Sequence, residues 1–130
     1  MAIELSVILE DEPGSLARFG CALGDAGVNI EAIAGSSRDG IGRVQFVCTA
    51  PERAIASLEA AGIPYAAREV LVVTVLDEPG MLGDVALVMS SAGIDIDSVY
   101  VTTRGDVVLG VDDLAGAIQV AAGMAVTRLA

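Results

Sequence analysis

The chain has 130 residues, of which 54% are hydrophobic and 19% are charged, a composition typical of a folded protein rather than a disordered one. Eighteen acidic residues against seven basic ones give a formal charge of −11, which disfavours nucleic acid and anionic membrane surfaces as partners. The sequence has no apolar run of the roughly 18 residues that a membrane helix needs, and its acidic beginning is unlike a signal peptide. We therefore expect a cytoplasmic protein.

The first half of the chain predicts the element order βαββαβ. Apolar and polar residues alternate from Ile3 to Leu9, as in a half-buried strand. A helix is predicted to begin at Pro13, which suits a first helical turn, and to bury apolar residues at helical spacing, namely Leu16, Phe19 and Leu23. The next elements are two strands joined by a turn at Asp39-Gly40, a helix opened by Pro51 and a closing strand, at residues 28–34, 43–49, 51–62 and 65–68.

The second half of the chain repeats the first. The motif Asp11-Glu12-Pro13-Gly14 recurs as Asp77-Glu78-Pro79-Gly80, and residues 11–33 align without a gap on residues 77–99 with eight identities. The same order of elements is predicted there, at residues 70–76, 79–92, 94–103, 107–111, 113–122 and 125–129. Because no linker separates the halves and each is too small for a large core, we expect units of residues 1–69 and 70–130 that fold as a pair.

Residues with catalytic or metal-binding chemistry are few. The chain has no histidine, no P-loop and no nucleophile beside a candidate base, so an enzyme is not expected. Cys21 and Cys48 lack the spacing of a metal site and are predicted to be small buried residues. We therefore expect no metal and no cofactor.

Three features that occur in both halves resemble the ACT domain: the Asp-Glu-Pro-Gly loop, the helix ending in Ala-Gly, and the strand starts Val28-Asn29-Ile30 and Ile94-Asp95-Ile96. The resemblance implies an α+β fold of two ferredoxin-like βαββαβ units in tandem, with antiparallel sheets and helices on one face. It also implies a non-catalytic regulatory protein that binds a small free amino acid between ACT units. Its other partner would be a second copy, in a homodimer, or a regulated protein in trans.

In ACT domains the ligand lies against the loop after the first strand and the start of the second strand of the neighbouring unit. The resemblance therefore implies two sets of ligand-binding residues: Asp11, Glu12, Gly14, Ser15, Asn29 and Ile30 in the first unit, and Asp77, Glu78, Gly80, Met81, Asp95 and Ile96 in the second. Free N–H groups at the helix start suit a carboxylate, and glycine lets the ligand approach closely. Aspartate and asparagine oxygens suit the ammonium group.

The two copies differ at the expected sites, because Asn29 is replaced by Asp95 and Ser15 by Met81. An amide at the strand start fits the family pattern, so the site that uses Asn29 is favoured over the one lined by Asp95. Whether the loop facing Asn29 is the one with Asp77 and Gly80 depends on how the units pair, which the sequence leaves open.

Two other functions are compatible with these residues. The repeated motif also fits a device that only starts a helix, in which case the protein is a structural or protein-interaction module without a small-molecule ligand. A small hydrolase or isomerase on the same fold is a third hypothesis. The identity of the amino acid is open, although the aliphatic setting favours a small or branched side chain.

Overall fold

The computed structural model describes residues 2–124 and 128–129, and the chain divides into two compact units, Ile3–Arg68 and a second unit that starts at Glu69. Both units have the βαββαβ order and the α+β fold that the sequence predicts. In the part of the chain that the structure describes, no helix combines the length and the apolar character that crossing a bilayer requires.

The first unit is an antiparallel sheet with two helices on one face. Its strands have the spatial order β2-β3-β1-β4. The elements in chain order are β1 (Ala2–Glu10), α1 (Ser15–Asp25), β2 (Ile30–Arg38), β3 (Ile41–Cys48), α2 (Pro51–Ala60) and the beginning of β4 (Tyr65–Thr74). The turn between β2 and β3 is made by Asp39 and Gly40 with φ of 54° and 80°, as the hairpin motif predicts.

The second unit repeats this arrangement with the later part of β4, and its strand order is β4-β6-β5, with β7 on β4. Its further elements are α3 (Met81–Ser91), β5 (Ile96–Val101), β6 (Val107–Val111), α4 (Leu114–Ala122) and β7 (Arg128–Leu129). Residues 125–127 of the predicted last strand lie outside the described residues. Helix α4 begins as predicted, because the Asp113 carboxylate accepts a hydrogen bond from Gly116 N–H at 3.0 Å.

Each unit has its own aliphatic core between sheet and helices. In the first unit alternate residues of β1 and β3 pack on α1 and α2, and the Phe19 and Phe46 rings meet edge to face at 5.1 Å. In the second unit Leu71 and Val73 of β4 pack against Val85 and Met89 of α3. Val70–Val73 are all buried, as their continuous apolar run predicts.

The predicted helix starts at Pro13 and Pro79 are wrong. Helices α1 and α3 begin two residues later, because Gly14 and Gly80 have φ of 93° and 90°, which a right-handed helix cannot include. Leu16, predicted to be buried, is 62% exposed in the first turn of α1.

Two further sequence predictions are corrected. The strands predicted at residues 65–68 and 70–76 are one continuous strand, β4, which ends at Thr74. Cys48 is buried as predicted, but Cys21 is exposed. Cys21 lies two positions from the buried Phe19, about 200° around the helix, and this places it on the outer face of α1.

Candidate functional site

The first Asp-Glu-Pro-Gly loop, residues 11–14, is an exposed connection from β1 to α1. Its backbone is fixed by Asp11 N–H, which donates to Gly40 O at 3.0 Å, and by Ser15 N–H, which donates to Glu12 O at 3.3 Å. Gly14 is the N-cap residue of α1, and its carbonyl accepts the first helical hydrogen bond, from Arg18 N–H, at 2.9 Å. The loop backbone is thus fixed by hydrogen bonds, and the loop is exposed where it leads into α1.

The start of α1 has backbone donors that the chain does not use. No side chain caps this helix. Among the described residues, the N–H groups of Leu16 and Ala17 have no hydrogen-bond acceptor. Unpaired N–H groups at the positive end of a helix dipole favour an anion such as a carboxylate.

A cavity of about 500 Å³, which we call the loop cavity, opens beside the first loop. Its polar lining comes from Glu10, Glu12, Ser15 and Arg18, and Gly62–Pro64 form part of the opposite wall. A second cavity of about 450 Å³ lies on another side of the same loop and is also lined by Asp11. The loop cavity therefore combines a guanidinium group with carboxylates, as binding of a zwitterion requires.

The second loop, residues 77–80, has the same backbone but different side chains around it. Met81 N–H donates to Glu78 O at 3.3 Å and Asp84 N–H to Gly80 O at 3.0 Å, as at the equivalent positions of the first loop. Met81, which replaces Ser15, is buried, and Asp84 replaces Arg18 in the first helical turn. A carboxylate already lies near the positive end of α3, so this loop is less suited to bind another one.

The strand-start residues Asn29 and Ile30 lie at the opposite end of the first unit from its loop. β1 and β2 both pair antiparallel with β3, so they run in the same direction. The 11-residue helix α1 connects the end of β1 to the beginning of β2, and a helix of this length spans about 16 Å. One small amino acid therefore cannot contact both the loop and Asn29 of the same unit.

The Asn29 side chain is exposed and makes no hydrogen bond to the described residues, whereas its backbone is fixed. Its N–H donates to Thr49 Oγ1 at 3.1 Å, and its carbonyl accepts from Thr49 N–H at 3.0 Å. In the second unit the Asp95 N–H, just before Ile96, donates to Asp112 Oδ1 at 3.0 Å. The backbone of Asn29 is therefore fixed, and its exposed amide is accessible.

Arg18 is a candidate ligand-binding residue that the sequence reasoning missed. It lies four residues after Gly14, so it projects from the first turn of α1, and it lines the loop cavity. The signal was present in the alignment of the two halves, in which Arg18 is paired with Asp84. The charge is therefore reversed at equivalent positions in the first turns of α1 and α3.

Comparisons with known families and with solved structures agree with the fold described above. The sequence model of a family described as an ACT domain pair matches residues 1–120 of the chain. No curated protein sequence matches it.

Among solved structures, protein BT0572 from Bacteroides thetaiotaomicron is similar to the chain with a TM-score of 0.90 at 21% sequence identity, over 98% of this chain and 92% of that one. The regulatory subunit of aspartate kinase from Thermus thermophilus is similar with a TM-score of 0.69 at 17% identity, over 91% and 88%. The corresponding subunit from Thermus flavus gives 0.67 at 18% identity, over 91% and 88%. At these identities the likeness shows a common fold.

Proposed function

We propose that this chain, which belongs to the family of ACT domain pairs, is a non-catalytic regulatory protein that binds a small free amino acid at the first Asp-Glu-Pro-Gly loop. The observation that carries the proposal is the start of α1, which has two unpaired N–H groups among the described residues, next to a loop cavity lined by Arg18, Glu10 and Glu12. The name of a structural neighbour, a regulatory subunit of aspartate kinase, is in keeping with a regulatory role. Binding would act by stabilising one arrangement of the protein, as a homodimer or with a regulated protein in trans.

The carboxylate of the amino acid would bind at the start of α1. The N–H groups of Leu16 and Ala17 supply two donors, and the Arg18 guanidinium supplies a charge-assisted one. Gly14 has no side chain, and a Cβ atom built there would have no atom within 4 Å, so the approach to these donors is open. The second loop has Asp84 in place of the guanidinium, so we assign carboxylate binding to the first loop.

The ammonium group would bind to carboxylate and amide oxygens. Glu10 and Glu12 line the same cavity as Arg18. Asn29 lies at the far end of its own unit, so we assign its amide to a ligand held by the first loop of a second copy of the chain. The remaining lining includes Ile8, Leu9 and Ile63, which suits a small or branched aliphatic side chain.

Isothermal titration calorimetry of the full chain with each proteinogenic amino acid tests this proposal. At least one should bind, and Arg18→Gln should weaken its binding about tenfold, because a hydrogen bond to a charged group contributes about 1.5 kcal/mol or more. Arg38→Gln is the matched control, because the Arg38 side chain is 93% exposed at the end of β2 and outside the loop cavity. If no amino acid gives a saturable signal, or if both variants bind equally well, the proposal is wrong.

The strand-start residues provide a second, internal comparison. Asn29→Ala should weaken amino-acid binding about fivefold, as expected for the loss of a neutral hydrogen bond of about 1 kcal/mol. Asp95→Ala, at the equivalent position of the second unit, should leave the affinity unchanged. The reverse result would mean that Asp95, and not Asn29, contacts the ligand.

A protein-interaction module is the alternative function, and repeated exposed apolar residues favour it. Leu16 and Leu82 are 62% and 52% exposed, and Ile33 and Val99 are 45% and 48% exposed. Each pair occupies equivalent positions of the two halves. Apolar residues exposed at the same place in both units are typical of a contact surface.

Size-exclusion chromatography with light scattering, which measures the molar mass of the assembly, distinguishes this alternative from amino-acid binding. If the chain is an interaction module, replacing Leu16 and Leu82 by Ser should lower the molar mass of its assembly. Adding the amino acid should leave that molar mass unchanged. Leu87→Ser is the matched control, because Leu87 is 67% exposed but its counterpart in the first unit is Cys21. An unchanged mass for the double variant excludes these leucines as the contact surface.

A further inference from the structure

The sheet of the first unit has a second face, opposite the helices, with a separate set of side chains. Because side chains alternate along a strand, Leu5 and Val7 of β1 point into the core, and Ser6 and Ile8 point to the other face. The β1–β3 register pairs Ser6 with Gln45 and Ile8 with Arg43. The β2–β3 register adds two more residues to the same face, Ala34 beside Gln45 and Ser36 beside Arg43.

These residues line a cavity of about 580 Å³, which we call the open-face cavity. It is larger than either cavity beside the first loop. Pro64, Tyr65 and Ala66 form another part of its wall, and all of its lining residues belong to the first unit. Its volume lies within the range of about 300–1,000 Å³ found for small-molecule sites.

Arg43 gives the open-face cavity a positive charge. Among the described residues the ion pairs are Arg68 with Glu4, at 2.8 Å, and the exposed Arg38 with Asp39, at 4.0 Å. Arg43 takes part in neither pair. Arg43 also lines the second cavity beside the first loop, with Glu10, Asp11 and Glu12, but no ion pair within 4.0 Å occupies its guanidinium among the described residues, so it is available to an anion from outside.

The equivalent face of the second unit has a different charge and is less polar at its centre. The β4–β6 register places Val72 beside Val108, in the positions of Ser6 and Gln45. Asp106 takes the position of Arg43, and its carboxylate accepts a hydrogen bond from Thr74 Oγ1 at 2.9 Å. Val72 and Val108 are buried, whereas Ser6 and Gln45 are partly exposed. The duplicated unit is thus an internal reference in which the cation, the Ser6 hydroxyl and the Gln45 amide are replaced.

We propose that the open-face cavity of the first unit binds a small organic carboxylate with an apolar body through Arg43, whereas the loop cavity, which shares Ile8 with it, uses Arg18. The Arg43 guanidinium binds the carboxylate in a bidentate manner, and the hydroxyl groups of Ser6 and Ser36 and the Gln45 amide supply further hydrogen bonds. Ile8 and Tyr65 contact the apolar body. The lining of the open-face cavity contains no carboxylate that could bind an ammonium group, so we expect a ligand without one.

The test is ligand-observed saturation-transfer NMR of the full chain with 4-methylpentanoate, which has a carboxylate and a branched apolar body but no ammonium group. We expect saturable binding at about 10 mM, which is tenfold above a dissociation constant of about 1 mM. The neutral analogue 4-methylpentanamide should bind about tenfold more weakly, because it cannot form the charge-assisted pair. Arg43→Gln should weaken binding of the carboxylate to the same extent.

Two controls locate the site and guard against misfolding. Arg38 lies on the same hairpin as Arg43 but outside the open-face cavity, so the Arg38→Gln variant should bind 4-methylpentanoate with the affinity of the parent chain. The double variant Ser6→Val and Gln45→Val, which introduces the residues of the second unit, should abolish binding while circular dichroism confirms the fold. Arg18→Gln, which alters the loop cavity, should leave binding of 4-methylpentanoate unchanged.

The proposal fails if 4-methylpentanoate does not bind, if its amide binds equally well, or if Arg43→Gln and Arg38→Gln have the same affinity. Loss of binding in Arg18→Gln would place the probe at the loop and would also overturn the proposal. Amino-acid binding at the loop stands or falls separately, because its own test uses Arg18 and not Arg43.

Discussion

Replacement of Gly14 by Ala gives a sharp test of the loop conformation on which carboxylate binding depends. Gly14 has φ of 93°, and a Cβ atom placed there has no atom within 4 Å. Any loss of stability must therefore come from the backbone and not from a steric clash. Gly20, inside α1, is the opposite case, because its Cβ would also meet nothing within 4 Å but its backbone is helical.

The expected changes in the free energy of unfolding have opposite signs. A left-handed conformation costs an alanine about 1–2 kcal/mol, and the reduced entropy of the unfolded chain offsets about 0.4–1 kcal/mol of this. Gly14→Ala should therefore destabilise by about 1 kcal/mol, and Gly80→Ala, with φ of 90°, by the same amount. Gly20→Ala should stabilise by about 0.5–1 kcal/mol.

Urea titration followed by circular dichroism measures these differences, provided that the slope of the free energy against urea concentration is the same for all variants. In thermal unfolding, about 1 kcal/mol corresponds to roughly 4–8 °C for a unit of this size. A Gly14→Ala variant as stable as Gly20→Ala would refute the left-handed loop. A loss several times larger would mean that atoms lie within contact distance of residue 14, contrary to the structure.

Three other predictions concern stability and reactivity. Asp113→Ala removes the side-chain cap of α4 and should lower the free energy of unfolding by about 1 kcal/mol in urea titration; no change would mean that the cap is not formed. Arg68→Met should lower it by about 2 kcal/mol, because the 1% exposed Glu4 loses its ion pair with Arg68, although the other interactions of Glu4 and the 38% exposure of the arginine keep the cost below that of a fully enclosed pair; a variant as stable as the parent contradicts this. In the folded protein Cys21 should react with Ellman's reagent much faster than Cys48, because burial raises the pKa of the Cys48 thiol, and equal rates would contradict the burial.

Much of the fold could be predicted from the sequence because its signals are local. Alternation from Ile3 to Leu9 determines which residues of β1 face the core, and the turn at Asp39-Gly40 determines the β2–β3 hairpin. The starts of α1 and α3 were predicted two residues too early, because proline is common in a first helical turn. Pro13 and Pro79 cannot belong to these helices, because the next residues, Gly14 and Gly80, have a left-handed backbone.

Residues whose role depends on distant neighbours could not be predicted in the same way. Helical spacing places Leu16 on the apolar face of α1, but it does not show whether another part of the chain packs against the first turn, where Leu16 is exposed. An arginine such as Arg43 in a hairpin strand is by sequence an ordinary solvated charge. Its environment emerges only when the registers of β1, β2 and β3 are known.

The most direct test of carboxylate binding at the first loop is two-dimensional ¹⁵N–¹H NMR of the labelled chain during titration with the amino acid that calorimetry identifies. The amide signals of Leu16 and Ala17 should move to lower field and saturate together, because their unpaired N–H groups acquire an acceptor. The signals of Leu82 and Gly83, at the equivalent positions after the second loop, should stay in place. Saturable binding that leaves Leu16 and Ala17 unmoved would contradict the proposed site.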